Sequence, residues 1–267
     1  MYDRPFLTLP EELLLACGDS ETGRIQPPDF FARALSGAVL AELELCGAIT
    51  IEQSKIVELR PLTRGDPVID RLFEQLNSDI APGQLGNEQS RLVGGPDSFR
   101  NLRHVVPPRG VAARVSAGMR FALASGLPNW TLSDWISSWH RFRDIEERYL
   151  EAMEARRLVI AHRRRILGIV PRTTWNNASP GYARESTARI DEAIRAVTHT
   201  ERSQAPSRRA MHLVALVGAA DLSGRLFPGR EYLNTRRHIE HVTSGDPIAA
   251  AVRSVREADE EARRSLD

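Results

Sequence analysis

The side chains that could take part in catalysis or metal binding are few and lie far apart in the sequence. His238 and His241 are three residues apart, and Asp66 and Asp70 are four apart, so each pair could share one face of a helix. The histidines lack a third metal ligand of suitable type nearby. Asp66 precedes a proline, which is typical of a helix N-cap. We therefore expect partly exposed histidines and a capped helix rather than a metal centre or a catalytic carboxylate pair.

The motifs of the common enzyme classes are missing from the sequence. It contains no nucleophile elbow, no phosphate-binding Walker A loop, no dinucleotide-binding glycine motif and no zinc-protease motif. These absences predict a protein that is not an enzyme and that uses no cofactor. An enzyme of an unrecognised type is the alternative, and a deep pocket lined by several titrating groups would support it.

One stretch, "ARRLVIAHRRRILGIV" at residues 155–170, combines basic and aliphatic side chains. Aliphatic and β-branched runs favour strands, and the polar residues between the two runs would form a bend. The pattern predicts a hairpin with Arg163, Arg164 and Arg165 at its tip. Such a hairpin suits an anionic bilayer, where each basic residue contributes about 1 kcal/mol and apolar side chains enter the headgroup boundary. A packed hairpin with a solvated basic turn is the alternative.

Composition limits the partners and the location of the protein. The 267 residues include 36 lysines and arginines against 35 acids, so bulk charge does not favour a nucleic-acid partner. The N-terminal segment has no basic region of a signal peptide, and the apolar segment 211–222 is shorter than the roughly 20 residues that span a bilayer. Cys17 and Cys46 are predicted to be reduced core residues. We expect a cytoplasmic protein that associates peripherally with the cytosolic face of a membrane.

Apolar residues at helical spacing predict a mainly α fold. Four helix ends carry local signals: Thr8 with Glu11, Gly47, Asp66 and Asp246. An alternating segment, 48–59, predicts a short hairpin, whereas 77–129 is rich in glycine and proline and gives no clear prediction. We expect one compact domain over residues 1–267, with short hairpins of which one is basic and projects. The predicted helices cover residues 8–18, 29–47, 64–76, 133–153, 186–197, 207–222 and 244–264.

Four blocks resemble the Golgi phosphoprotein 3 family in their order and spacing. They begin at Leu7, Gly37, Arg64 and Arg208, and read "LTLPEELLLACGDSETGR", "GAVLAELELCGAITIE", "RGDPVIDRLFEQL" and "RRAMHLVALVGAADLSGRLFP". The resemblance implies a mostly helical domain whose projecting hairpin dips into the bilayer. It also implies docking on membranes that carry phosphatidylinositol 4-phosphate, and an adaptor role toward the tails of membrane proteins such as glycosyltransferases.

The resemblance places a lipid pocket at positions where this chain departs from the family. Pro27 and Ser36 stand where the family has a tryptophan and an arginine, and Glu146 replaces a second arginine. A glutamate would repel a phosphate, so we expect affinity for anionic lipid in general rather than for that phosphoinositide. A soluble scaffold that binds a protein or nucleic acid through the same hairpin is the alternative. Headgroup contacts are expected from Arg143, Arg148, Arg163, Arg164 and Arg165, and membrane insertion from Ile166, Leu167 and Ile169.

Overall fold

A computed structural model describes residues 7–19, 21–60, 68–70, 73, 130–138, 144–166, 170–198 and 206–266. The expected features at Asp66, at Arg143, at Leu167 and Ile169, and within 77–129 lie outside these residues. The described part is mainly helical, as predicted, with two separate antiparallel strand pairs.

The predicted elements occur in the expected order, but the structure also has helices at Ser223–Leu226 and Leu233–Gly245 that are not among the predicted ranges. Residues 68–70 are also helical, in agreement with the helix expected after Asp66. The helices are α1 (Leu9–Ala16), α2 (Phe31–Leu45), α3 (Leu132–Ser138), α4 (Ile145–Ala155), α5 (Pro180–Thr198), α6 (Arg208–Ala219), α7 (Ser223–Leu226), α8 (Leu233–Gly245) and α9 (Pro247–Arg264). The strands are β1 (Ile49–Glu52), β2 (Lys55–Leu59), β3 (Val159–Ile166) and β4 (Val170–Asn177).

Local capping interactions fix the ends of several helices. The backbone N–H of Thr8 donates to Oε2 of Glu11 at 2.9 Å, which satisfies one donor at the start of α1. The carboxylate of Asp246 accepts from the backbone N–H of Ala249 at 2.9 Å at the start of α9. Gly47 follows α2 with a φ of +74°, a left-handed conformation that glycine adopts without strain. These predictions are confirmed.

Helix α6 lies at the centre of the helical body. It packs against α2, α5, α8 and α9, and its residues 213–217 are at most 4% exposed. Thr243 of α8 donates its hydroxyl to the carbonyl oxygens of Ala215 (3.0 Å) and Ile239 (2.7 Å). Gly218 faces this buried hydroxyl, and a Cβ there would clash with it and lie 3.0 Å from Ile239. The close approach of α6 and α8 therefore depends on the missing side chain of Gly218.

The substitution Gly218→Ala should lower the free energy of unfolding by about 1–3 kcal/mol, because the added methyl group overpacks a buried contact. Urea denaturation of the two proteins would measure this difference. Gly224→Ala is the matched control, because nothing lies within 4 Å of a Cβ at that helical position. An equal midpoint for Gly218→Ala and the parent chain would show that α6 and α8 do not pack as described.

The two cysteines have different environments, so one of the two predictions is wrong. Cys17 is fully buried, and burial raises the pKa of its thiol to about 12. Cys46 is exposed, because it follows the last residue of α2, and its Sγ lies 3.2 Å from the carbonyl oxygen of Leu43. Only Cys17 is a core residue.

The basic hairpin is formed by β3 and β4, but its bend is not where the sequence placed it. Arg163 pairs with Thr173, Arg164 with Arg172 and Arg165 with Pro171, in a continuous antiparallel register. The three arginines therefore lie inside β3 rather than at a tip. The prediction failed because an alternating polar run fits the exposed face of a strand as well as it fits a bend.

Candidate functional site

The alternation of side chains along β3 divides the arginine run between two faces of the hairpin. Val159 (2% exposed) and Trp175 (9% exposed) lie on the inner face, which packs against the core. Arg163 is on that side, where its guanidinium forms an ion pair of 2.9 Å with Glu154 of α4. Arg164 points the opposite way. The three arginines consequently do not form one patch.

The outer face of the hairpin carries an open, basic groove of about 470 Å3. None of the side chains that line it is acidic, and three are arginines. Two of the arginines, Arg164 and Arg172, are direct cross-strand partners. We call this feature the outer groove, and it is lined by Arg24, His162, Arg164, Arg172, Thr174 and Asn176.

Arg24 reaches the outer groove because the segment after α1 runs along β4. The backbone N–H of Ile25 donates to the carbonyl oxygen of Trp175, and that of Asn177 donates to Gly23, both at 2.8 Å. Gly23 has a φ of +69°. Arg24 and Asn176 form an antiparallel bridge. The segment therefore lies along the edge of the hairpin at β4, joined by an isolated β-bridge.

A tight turn holds this segment in place. Asp19 accepts hydrogen bonds from the backbone N–H (2.7 Å) and the hydroxyl (2.8 Å) of Thr22. These bonds, with a further one from the backbone N–H of Glu21, lower the pKa of Asp19. The side-chain Nδ2 of Asn176 donates to the carbonyl oxygen of Thr22 at 3.0 Å. The position of Arg24 is thus tied to β4 by backbone and side-chain bonds.

The charge around the hairpin is strongly one-sided. Residues 155–184 contain seven arginines and no aspartate or glutamate. Arg156 and Arg163 are neutralised by Glu11 and Glu154. Among the described residues, no carboxylate forms an ion pair with the three arginines of the outer groove. These guanidinium groups are available to an external anion.

The other predicted headgroup residues lie away from the outer groove or outside the described residues. Arg148 is half-buried on α4, and its Nε has no hydrogen-bond partner in the part of the chain that the structure describes. It does not line the groove. Arg165 and Ile166 end β3, whereas Arg143, Leu167 and Ile169 are not described.

The positions of the lipid pocket implied by the resemblance do not form a basic site in the described structure. Ser36 is 2% exposed and donates its hydroxyl to the carbonyl oxygen of Ala32 at 2.9 Å. Burial raises the pKa of Glu146, and the backbone N–H of Ala32 partly offsets this effect. A carboxylate therefore lies at the first turn of α2, where the helix dipole favours a negative charge. This carboxylate would repel a lipid phosphate.

The described residues contain neither a metal-binding cluster nor a membrane-spanning helix. No group of three or more histidine, cysteine, aspartate or glutamate side chains is arranged to hold a metal ion in the described ranges. His238 is half-buried and His241 is exposed on α8. In the same ranges, no helix has the length and apolar character needed to cross a bilayer.

Comparison with known proteins identifies the family. The sequence profile of Golgi phosphoprotein 3 matches residues 9–258, nearly the whole chain. The chain belongs to the Golgi phosphoprotein 3 family. A search of the curated proteins found no significant match.

The sequence blocks that resemble the Golgi phosphoprotein 3 family include helices that pack together in the helical body. Glu42, from the block that begins at Gly37, accepts from the backbone N–H of Leu9 at 2.9 Å and pairs with Arg209 at 3.1 Å. Arg209 belongs to the last block and also donates to the carbonyl oxygen of Leu7 at 2.7 Å. The blocks therefore hold α1, α2 and α6 together.

Sequence reasoning missed five of the six residues that line the outer groove, among them Arg24, His162 and Arg172. For His162 and Arg172 a signal was present, because both fall on the same face as Arg164 once β3 and β4 are paired. Arg24 gave no local signal, since its place beside Asn176 depends on a bridge between residues 152 positions apart.

Proposed function

We propose that this member of the Golgi phosphoprotein 3 family is a non-enzymatic, peripheral membrane adaptor. It docks on anionic phospholipid headgroups at the cytosolic face of a membrane through the β3–β4 hairpin. The observation that carries the proposal is the unbalanced charge of the hairpin and of the segment after α1 beside it. This charge includes the three arginines of the outer groove, which have no ion pair among the described residues. Family membership supports the same general role.

The hairpin has the two properties that interfacial binding requires. Each basic residue near an anionic surface contributes about 1 kcal/mol, so a cluster of several gives measurable binding that weakens with salt. Ile160 is 46% exposed on the outer face, and its side chain can contact the headgroup boundary. Ile166, Leu167 and Ile169 remain predicted insertion residues, and Ile166 is the last residue of β3.

We propose lipid recognition by charge rather than by a phosphatidylinositol 4-phosphate pocket. The physical reason is the carboxylate of Glu146 at the first turn of α2, together with buried Ser36 where the resemblance implies an arginine. Tails of membrane proteins such as glycosyltransferases are the proposed partners of the adaptor. A nucleic-acid partner is disfavoured because the whole chain has a net charge of +1.

Sedimentation with liposomes tests this function. The protein should pellet with vesicles of phosphatidylcholine and phosphatidylserine, release at high salt, and stay in the supernatant with phosphatidylcholine alone. Substitution of Arg163, Arg164 and Arg165 by glutamate should abolish pelleting, because the hairpin changes by six charge units. The control carries the same charge change at exposed positions outside the hairpin, in the substitutions R230E, R237E and R264E. Equal pelleting of the hairpin variant and the parent chain would refute the proposal.

A further inference from the structure

The outer groove differs from a diffuse basic surface because its charges converge from three segments of the chain. Arg164 and Arg172 face each other across β3 and β4, and Arg24 comes from the segment after α1. Arg163, their neighbour in sequence, is already paired with Glu154. The convergence depends on the fold rather than on the run of arginines.

The chemistry of the groove suits one phosphate group. A planar guanidinium presents paired N–H donors that match phosphate oxygens, and three arginines line the groove. His162 and the hydroxyl of Thr174 add polar groups on the same face. The lining contains no carboxylate that would compete with the ligand. A volume of about 470 Å3 is within the range of small-ligand sites.

The backbone around the groove is fixed before any ligand binds. The N–H of Ile25 is bonded to Trp175 and the N–H of Asn177 to Gly23. The side-chain amide of Asn176 is held by the carbonyl oxygen of Thr22. Because this backbone is already ordered, the conformational entropy lost on binding is mainly that of the arginine side chains.

We propose that the outer groove is a discrete binding site for the phosphate monoester of a lipid headgroup, with Arg24, Arg164 and Arg172 as the ligand-contacting residues. The site is separate from the position that the resemblance implies near Pro27 and Ser36. This inference rests on the proposed membrane function for the source of the phosphate, because a free phosphate ion has the same chemistry.

Single neutral substitutions distinguish a discrete site from diffuse charge. Vesicles of phosphatidylcholine with phosphatidic acid present a phosphate monoester, and the substitutions R24Q, R164Q, R172Q and R184Q each remove one charge. Loss of one arginine contact should weaken binding about tenfold in each of the first three variants. R184Q removes an exposed arginine of the same basic stretch that does not line the groove. It is the matched control and should change binding less than about twofold. Equal weakening in all four variants would overturn the discrete site and leave the membrane function intact.

A titration with inorganic phosphate separates failure of the site from failure of the membrane function. Backbone amide signals of Thr174 and Asn176 in the full chain should shift and saturate with phosphate at constant ionic strength. The shifts should be lost in R164Q and kept in R184Q. Saturation without binding to any anionic vesicle would support the site, with free phosphate as its ligand, and would refute membrane docking. Shifts that do not saturate, or that chloride reproduces, would overturn the site.

Discussion

Replacement of Arg209 by leucine should lower the free energy of unfolding by about 3 kcal/mol. Arg209 contacts Glu12 at 3.3 Å and Glu42 at 3.1 Å, and both carboxylates lie in the body with side chains 7% and 12% exposed. Without the guanidinium of Arg209, the carboxylates of Glu12 and Glu42 lose a compensating charge where little water reaches them. The midpoint of urea denaturation, with the slope checked for two-state behaviour, measures the effect.

The matched control is Arg195→Leu, which removes an arginine from an exposed pair with Asp191 one helical turn away. Exposed pairs of this kind contribute well under 1 kcal/mol, so its midpoint should stay close to that of the parent chain. If the two variants lost the same stability, Arg209 would not join α1, α2 and α6 as described.

The second prediction concerns the pH dependence of stability through His212. This histidine is 4% exposed on α6. Its Nδ1 lies 2.7 Å from Asp246, and its Nε2 lies 3.1 Å from Glu44. Burial alone would lower the pKa of His212, but the contacts with the carboxylates of Asp246 and Glu44 outweigh it and raise the pKa to about 9.

A folded-state pKa above the ordinary value of 6.5 means that the native state holds the proton more tightly than the unfolded chain does. The stabilisation is therefore complete below about pH 6.5 and is lost as the pH rises through about 9. The difference is on the order of 3 kcal/mol. Urea denaturation at a series of pH values should show this decline in the parent chain.

His212→Gln should flatten the decline, because the titrating group is absent, and it should destabilise the protein most below about pH 6.5, where the stabilisation is complete. The exposed His241→Gln variant should keep the decline of the parent chain. A decline of the same size in His212→Gln would show that other groups cause it.

The parts of the fold predicted from the sequence are those fixed by neighbours within a few residues. The bond between Thr8 and Glu11 and the cap of Asp246 on Ala249 each join residues three apart. Such signals are visible in the sequence because the interacting groups are adjacent on the first turn of a helix. The hairpin of β1 and β2 was predicted for a similar reason, since its strands are close in the chain.

The parts that were not predicted depend on distant pairings. The bend between β3 and β4 was misplaced because the polar residues of β3 were interpreted as a turn. Arg24 enters the outer groove only through its bridge with Asn176. Glu42 and Arg209 are 167 positions apart, and nothing local to either residue indicates the other. Candidate site residues were therefore found where they lay within one run of sequence and missed where the fold assembled them.

Hydrogen–deuterium exchange of the full chain, with and without vesicles of phosphatidylcholine and phosphatidylserine, tests most directly whether the hairpin is the docking element. Vesicles should slow exchange in two adjacent segments, 159–177 and 19–26, and leave exchange in α8 and α9 unchanged. Slower exchange confined to α8 and α9, or no change anywhere under conditions of complete pelleting, would contradict docking through the β3–β4 hairpin.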